Sequence, residues 1–464
     1  MQRALLRFAV FAVVVLAAIP AATALAAQQM PVGFFDDISF RFAPDHPANL
    51  ASAAATGASL IHTTANWAAI APTKPANPSN PNDPAYHLSD LNDLVASASR
   101  YGFRVMIDVT GSPKWANGGH TPNYMPKNVA DFGTFVRMLA TLYSGKNAGK
   151  GSVALWSIWN EPNLQQFLYP QFKGKTIVSV PNYAKLLKAG YSAIKSANPK
   201  ALVAAGETSA QGRDKPLKGA SETVAPGTFA RLLSKQGVKF DAWAHHPYPT
   251  SPSAKPLEQV RYPNVTLSQL PRFEKDLRTW YHRVVPIWIT EYGHETKPGE
   301  PKGVSPATQA AYAKQALTIA RRDPNVQMFI WFTFRDSAGN PWQSGLENPS
   351  GSHKPSYASF SSLARVIDGT TQLVKAGKAP TVKVYVPLLS YFDPPGTTLG
   401  MTYRVFEGKT QVAVGQPTAP LGFDQSVSFI AQFKPVKGHT YKVSVAVNDP
   451  NGQTQTRTAT LVAA

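Results

Sequence analysis

Eight short apolar runs, each followed by a stretch of helical periodicity, constrain this chain more than any other feature. They centre on Val32, Leu60, Val105, Leu155, Val203, Trp243, Trp288 and Phe329. Each reads as a strand buried on both faces, as strands of parallel sheets do. Between them, "LSDLNDLVASASRYG" sets leucines and valine at helical spacing, with a serine able to cap its start and Gly102 just past its end. "NVADFGTFVRMLATLYSG", "PNYAKLLKAGYSAIKSAN", "SQLPRFEKDLRTWYHR" and "SPATQAAYAKQALTIARR" read likewise. Two of them have proline in the first turn, where its missing N–H is harmless. This alternation predicts an α/β fold, a closed (β/α)8 TIM barrel over residues 31–368. An open doubly wound sheet would usually carry a glycine-rich phosphate turn after its first strand, and the sequence has none.

After Asp368 the texture changes. "TVKVYVPLLSYFD", "MTYRVFEG", "SVSFIAQFKP" and "HTYKVSVAVND" alternate apolar with polar residues, separated by glycine and proline turns. A small all-β sandwich is expected over residues 379–464, with Lys375 to Thr381 as its linker. At the other end, Arg3 and Arg7 precede the apolar run from Phe8 to Pro20, and Ala24 and Ala26 suit a cleavage site. Residues 1–26 therefore read as a signal peptide. Their apolar core is short for an ordinary membrane span, so no span is expected after cleavage. The expected location is secreted or in the cell envelope.

The chain of 464 residues has no cysteine, which excludes a disulfide framework, a thiol nucleophile and thiolate metal sites. Its formal net charge is +19, which could draw it to anionic cell-surface polymers. Only 16% of residues are charged, however, and no Lys/Arg run is long enough for a nucleic-acid patch.

Two runs end in acids. "WSIWNEPN" places Asn160 and Glu161 after strand 4, and "PIWITEYGHE" places Glu291 after strand 7. Active sites of such barrels lie at the C-terminal ends of the strands, so both acids should face one cleft from opposite walls. Two carboxyl groups across a cleft suit glycosidic bond cleavage: one protonates the leaving oxygen and the other attacks the anomeric carbon or activates water. The gap between them separates retention from inversion, and sequence does not measure it. Asn160 could bind a sugar 2-hydroxyl. Tyr248, in "HHPYP" after strand 6, could donate to Glu291 and hold it ionised. His246 could bind substrate or orient the acid, and Trp331 could stack on a sugar ring. His245 reads as a core histidine. A zinc site from His62, His245, His246 and an acid lacks HExxH-type spacing. No metal and no cofactor is expected.

At these residues the chain resembles a clan A glycoside hydrolase, similar to families 5 and 39. "WNEP" (Trp159 to Pro162) matches the clan's acid/base motif and "ITEYG" (Ile289 to Gly293) its nucleophile motif. "HPY" (His246 to Tyr248), the tryptophan ending strand 8, and "SGLENPSGSHKPSYASF" also match. The resemblance covers the barrel and not the sandwich. It implies a retaining mechanism with Glu161 as general acid/base and Glu291 as nucleophile. It also implies that Asn160 binds the 2-hydroxyl, Tyr248 steadies the nucleophile and Trp331 lines the central subsite. One departure stands out: where many clan members carry arginine at the end of strand 2, "LIHTTANW" offers His62.

The expectation is an exported hydrolase of a poly- or oligosaccharide. A non-catalytic carbohydrate-binding protein on the same barrel is the alternative, and an adhesive sandwich with the barrel as spacer is a third reading. The long loops "NWAAIAPTKPANPSNPNDPAYHLSD" and "SAQGRDKPLKGASETVAPG" are expected to shape the cleft. Arg213, Lys215 and Lys218 in the second are placed either to meet uronic acids or to be solvated.

Overall fold

The computed structural model describes residues 30–464 apart from 148, 339, 341, 365–370, 387–388, 390–392 and 394. The expected signal peptide and the expected barrel end at Asp368 lie outside the described residues. Eight parallel strands close into a barrel: β1 (Val32–Phe35), β2 (Leu60–Asn66), β3 (Arg104–Thr110), β4 (Val153–Ile158), β5 (Leu202–Ser209), β6 (Ala242–His246), β7 (Ile287–Ile289) and β8 (Val326–Phe332). Closure comes from β1, which pairs with β2 through Gly33↔Leu60 and with β8 through Val32↔Phe329.

The main helices alternate with these strands. They are α1 (His46–Ala55), α2 (Ser89–Arg100), α3 (Val129–Leu142), α4 (Ser179–Ala197), α5 (Pro226–Leu233), α6 (Leu270–Tyr281), α7 (Pro306–Arg322) and α8 (Pro355–Ala364). The serine expected to cap α2 is instead its first helical residue, Ser89. Leu88 holds the cap position without a side-chain bond, while Asp90 adds a favourable charge to the first turn. Gly102 does follow the helix with a positive φ of 78°.

Side chains alternate across each strand. Ile61, Val105, Ile107, Trp156, Val203, Trp243, Phe329 and Trp331 point outward into the layer beneath the helices. Leu60, Met106, Leu155, Ala204, Ala244, Trp288 and Met328 fill the barrel interior. Polar residues succeed these along the same inward rows toward the C-terminal ends: His62, Asp108, Ser157 and His246, all buried.

The C-terminal part is all β, with its own core around Val384, Tyr403, Val445 and Leu461. It comprises β9 (Thr371–Val374), β10 (Thr381–Tyr385), β11 (Thr398–Glu407), β12 (Thr410–Gly415), β13 (Thr418–Pro420), β14 (Ser426–Ile430), β15 (Thr440–Asn448) and β16 (Thr454–Ala463). One sheet runs β9-β16-β15-β11-β12 with β13 on β11, and β10 pairs with β14. The segment read as a linker, Lys375 to Thr381, instead joins two strands of this part, because β9 before it pairs parallel with β16. The turn between β13 and β14 reaches the base of the barrel. The Phe423 ring lies 5.6 Å from that of Trp288, Arg104 donates to the Phe423 carbonyl at 3.2 Å, and Gln425 donates to Ser59 at 2.6 Å. The β-rich part thus stoppers the end opposite the C-terminal face.

Candidate active site

At the C-terminal ends of the strands lies a cleft of about 950 Å³. Its floor and walls include Phe35 and Phe332 from β1 and β8, Asn160 and Glu161 after β4, Tyr248 after β6, Glu291 after β7, and Trp342 from the loop after β8. Both glutamates therefore share one site, as their positions at strand ends required.

Local backbone geometry aims Glu161. Trp159 and Glu161 have φ of 71° and 36°, a region L-residues rarely adopt. Three bonds hold this turn: Trp159 Nε1 donates to the Phe167 carbonyl at 2.7 Å, Trp159 N to Val109 at 3.0 Å, and Glu161 N to the Glu207 carbonyl at 3.0 Å. Such strain persists where the surroundings over-determine it. Asn160 beside it lines the cleft, and its side-chain oxygen has no partner.

His246 links the two acids. Its Nδ1 lies 3.1 Å from Glu161 Oε1 and 3.7 Å from Glu291 Oε2. Those oxygens are therefore at most about 7 Å apart, which accommodates the roughly 5–5.5 Å spacing of retaining enzymes. The Tyr248 hydroxyl donates to Glu291 Oε2 at 3.2 Å. Burial pushes the Glu291 carboxyl up to about 7, opposed by the charge of His246, while Glu161 adds to the rise and the Tyr248 bond counters it. His246 is raised to about 9: burial works against its charge, but Glu291 and Glu161 outweigh that.

Three expectations need correction. Trp331 is fully buried on the outward row of β8, between the Tyr292 and Phe360 rings, with its indole donating to the Ser344 carbonyl at 2.8 Å. The aromatic surface of the cleft comes instead from its inward neighbour Phe332 and from Trp342, whose ring lies 5.3 Å from Tyr248. His62 does not line the cleft. It lies buried beneath the floor, 4.3 Å from the Phe35 ring, bonded to the Thr290 carbonyl and 3.6 Å from Glu207, and burial lowers it to about 3. His246 is likewise wholly buried and touches the acids rather than lining the cleft, so it holds them in place and favours the charged form of Glu291.

The walls also differ from expectation. They come largely from the segments after β3 and β4, including Thr121, Asn123, Gln166 and Phe167, while Ser209, Ala210 and Gln211 represent the loop after β5. Of the loop after β2 only Asn66 takes part, and Arg213, Lys215 and Lys218 do not line the cleft. Arg41, which follows β1, is committed to Asp90 and the Thr64 carbonyl.

Sequence reasoning missed two acids, Asp108 and Glu207, both buried below the pair. The signal was there: "ALVAAGE" is a third apolar run ending in glutamate, and Asp108 interrupts the apolar run of β3 on its inward row. Among the described residues, no group of three or more His, Asp or Glu could hold a metal ion.

The chain is also similar to known proteins. Residues 43–335 match the model of the cellulase family, glycosyl hydrolase family 5. A curated β-xylosidase of Caldicellulosiruptor saccharolyticus is 26% identical over 278 residues, which are 57% of this chain and 51% of the relative. The chain thus spans about half the length of the curated relative it matches. Two solved structures share the fold. A family 39 glycoside hydrolase from Bacteroides cellulosilyticus WH2 superposes with a TM-score of 0.53 at 18% identity, over 88% of this chain and 82% of that one. A monomeric β-xylosidase from Caulobacter crescentus CB15 does so at 0.51 and 13% identity, over 91% and 96%. With the family model matched over more than half of its length, the chain belongs to the cellulase family, glycosyl hydrolase family 5.

Proposed function

We propose that the protein is a retaining glycosidase acting on a neutral poly- or oligosaccharide, with Glu291 as nucleophile and Glu161 as general acid/base. The observation that carries the reading is His246, whose Nδ1 lies 3.1 Å from Glu161 and 3.7 Å from Glu291 in one cleft. The ionised Glu291 attacks the anomeric carbon while the Glu161 proton passes to the departing glycosidic oxygen. Water then attacks the glycosyl ester, giving its proton back to Glu161 and releasing Glu291. Tyr248 and His246 stabilise the Glu291 charge in the resting state, and Asn160 is placed to bond the sugar 2-hydroxyl.

A neutral substrate is favoured because, among the described residues, no lysine or arginine lines the cleft, in contrast to the basic character of the whole chain. The similarity to a β-xylosidase makes β-xylosides the first substrates to try. Export fits the basic, apolar and small-residue pattern of residues 1–26. An anionic cell-surface polymer remains a proposed docking partner on charge alone.

The experiment is hydrolysis of aryl β-xylosides and β-glucosides by the full chain, with the first-formed anomer read by NMR. Glu291→Gly should abolish turnover, and azide should restore aryl release from the variant. An inverted first product, or a Glu291→Gly variant as active as the parent, would overturn the assignment.

A further inference from the structure

Beneath the catalytic pair lies a third glutamate that the mechanism above leaves unused. Glu207 is fully buried, with φ of 42°, and is the extra residue of a bulge: β5 and β6 pair at Gly206↔Ala244 and resume at Thr208↔His245, leaving Glu207 without a partner. Bulges beside active sites re-aim side chains. Here Gly206 makes the bulge feasible, since at its φ of 101° a Cβ would sit 2.6 Å from the Ala244 carbonyl. The bulge has two consequences. The Glu207 carbonyl turns toward β4 and accepts the amide of Glu161 at 3.0 Å. The side chain turns into the barrel, where Ser157 Oγ donates to Oε1 at 2.7 Å and Oε2 has no partner.

We propose that Glu207 is a positioning residue for the catalytic pair: its carbonyl fixes the turn that presents Glu161, and its carboxylate is a deep counter-charge that adds to those of Glu291 and Glu161 in keeping a proton on His246. This role rests on the assignment of Glu161 and Glu291 as the catalytic acids.

The groups that face Glu207 can be named strand by strand. His62 comes from β2, Asp108 from β3, Ser157 and Glu161 from β4 and its end, His246 from β6 and Glu291 from the end of β7. Tyr183 of α4 bonds the neighbouring Gly206 amide. No lysine or arginine is among them, so His246 is the cation available to balance several carboxyl groups. Two of these acids compete for the deep negative charge. Both oxygens of Asp108 are buried beyond normal hydrogen-bond reach of a donor, with the Trp159 amide alone favouring their charge, whereas Glu207 accepts from Ser157 at 2.7 Å. A carboxyl group that receives a close donor ionises before one whose donor is farther away. Asp108 therefore holds its proton, and Glu207 carries the charge. That charge adds to those of Glu291 and Glu161 in raising His246, while burial pushes Glu207 itself up to about 7, opposed by the His246 charge.

The test is the titration of His246 in the full chain, read residue by residue from histidine C2-hydrogen exchange by mass spectrometry, which needs no turnover. Glu207→Gln keeps the size of the side chain and an oxygen for Ser157, and should lower the His246 midpoint by roughly one pH unit. Asp108→Asn, which exchanges one neutral group for another, should leave it in place. Should Glu207→Gln not fold, Ser157→Ala weakens the same carboxylate and should lower the midpoint in the same direction by less. An unmoved His246 in the Glu207 or Ser157 variant, or an equal shift in Asp108→Asn, overturns the proposal. In parallel, the pH profile of kcat/KM for Glu207→Gln should move bodily to lower pH, whereas a purely structural role would lower the rate at every pH. Failure of the parent to cleave any glycoside would sink the catalytic assignment alone, since the histidine titration still decides the role of Glu207.

Discussion

Tyr248→Phe separates an electrostatic role for the phenol from a packing role. The hydroxyl lies 3.2 Å from Glu291 Oε2, long beside the about 2.5–2.7 Å of a strong charged O–H···O bond. Its contribution therefore falls at the low end of bonds to charged groups, about 1.5 kcal/mol. That energy favours the ionised carboxylate and corresponds to about one pKa unit. Glu291, already pushed up to about 7 by burial, should rise further when the hydroxyl goes. A nucleophile must be ionised, so the acid limb of the kcat/KM profile should move up by about one unit. At pH 6 the variant should lose roughly tenfold more than at pH 9, where Glu291 is ionised in both proteins. The assay is initial rates on an aryl glycoside from pH 5 to 9. The ring remains in the variant and keeps its contacts with Trp342 and Tyr292. An equal loss at every pH, or an acid limb moved downward, would refute the reasoning.

Global stability should fall between pH 6.5 and 9. Glu207 and Glu291 sit near 7 and Glu274 near 8, above their ordinary 4.5, and His246 sits near 9. The folded chain thus keeps protons that the unfolded chain has released; the penalty on the buried acids grows up to their folded values, and the stabilisation from protonated His246 is lost through about 9. Below 6.5, neutral buried His62 and His245, near 3, oppose this trend. Urea unfolding at the two pH values checks it, and equal midpoints would contradict it. Trp342→Ala should raise KM about tenfold through loss of a stacking surface worth about 1–1.5 kcal/mol, while Trp331→Phe should leave KM unchanged and lower the melting temperature. Steady-state kinetics beside thermal unfolding tells the two apart, and a KM effect confined to Trp331 would reverse the assignment. Phe423→Ala should cost about 2 kcal/mol, less than for a fully buried phenylalanine because the side chain is partly exposed, and should leave turnover per folded molecule intact. Calorimetry of the full chain reads the loss; an unchanged melting temperature would mean that the β-rich part does not stabilise the barrel.

The strand–helix alternation and the two acid-ended runs were legible because they are local. Strand period, helix period and chain order place Glu161 and Glu291 at the same end of a closed barrel without any knowledge of distant contacts. The inward rows were half legible. Alternation along β8 puts Trp331 with Phe329 on the outer face, yet its size and place at a strand end suggested a sugar platform instead. What the chain alone withheld depends on several strands meeting at one axis. A bulge at Glu207, one nitrogen of His246 shared by two acids, and a β-turn tip under Trp288 are products of register and closure. Their energetics come from burial in a low-dielectric interior, which shifts carboxyl and imidazole protons by amounts no single residue carries in itself. Sequence determined which groups stand at the mouth of the barrel; tertiary packing decided which of them touch, and which hold charge.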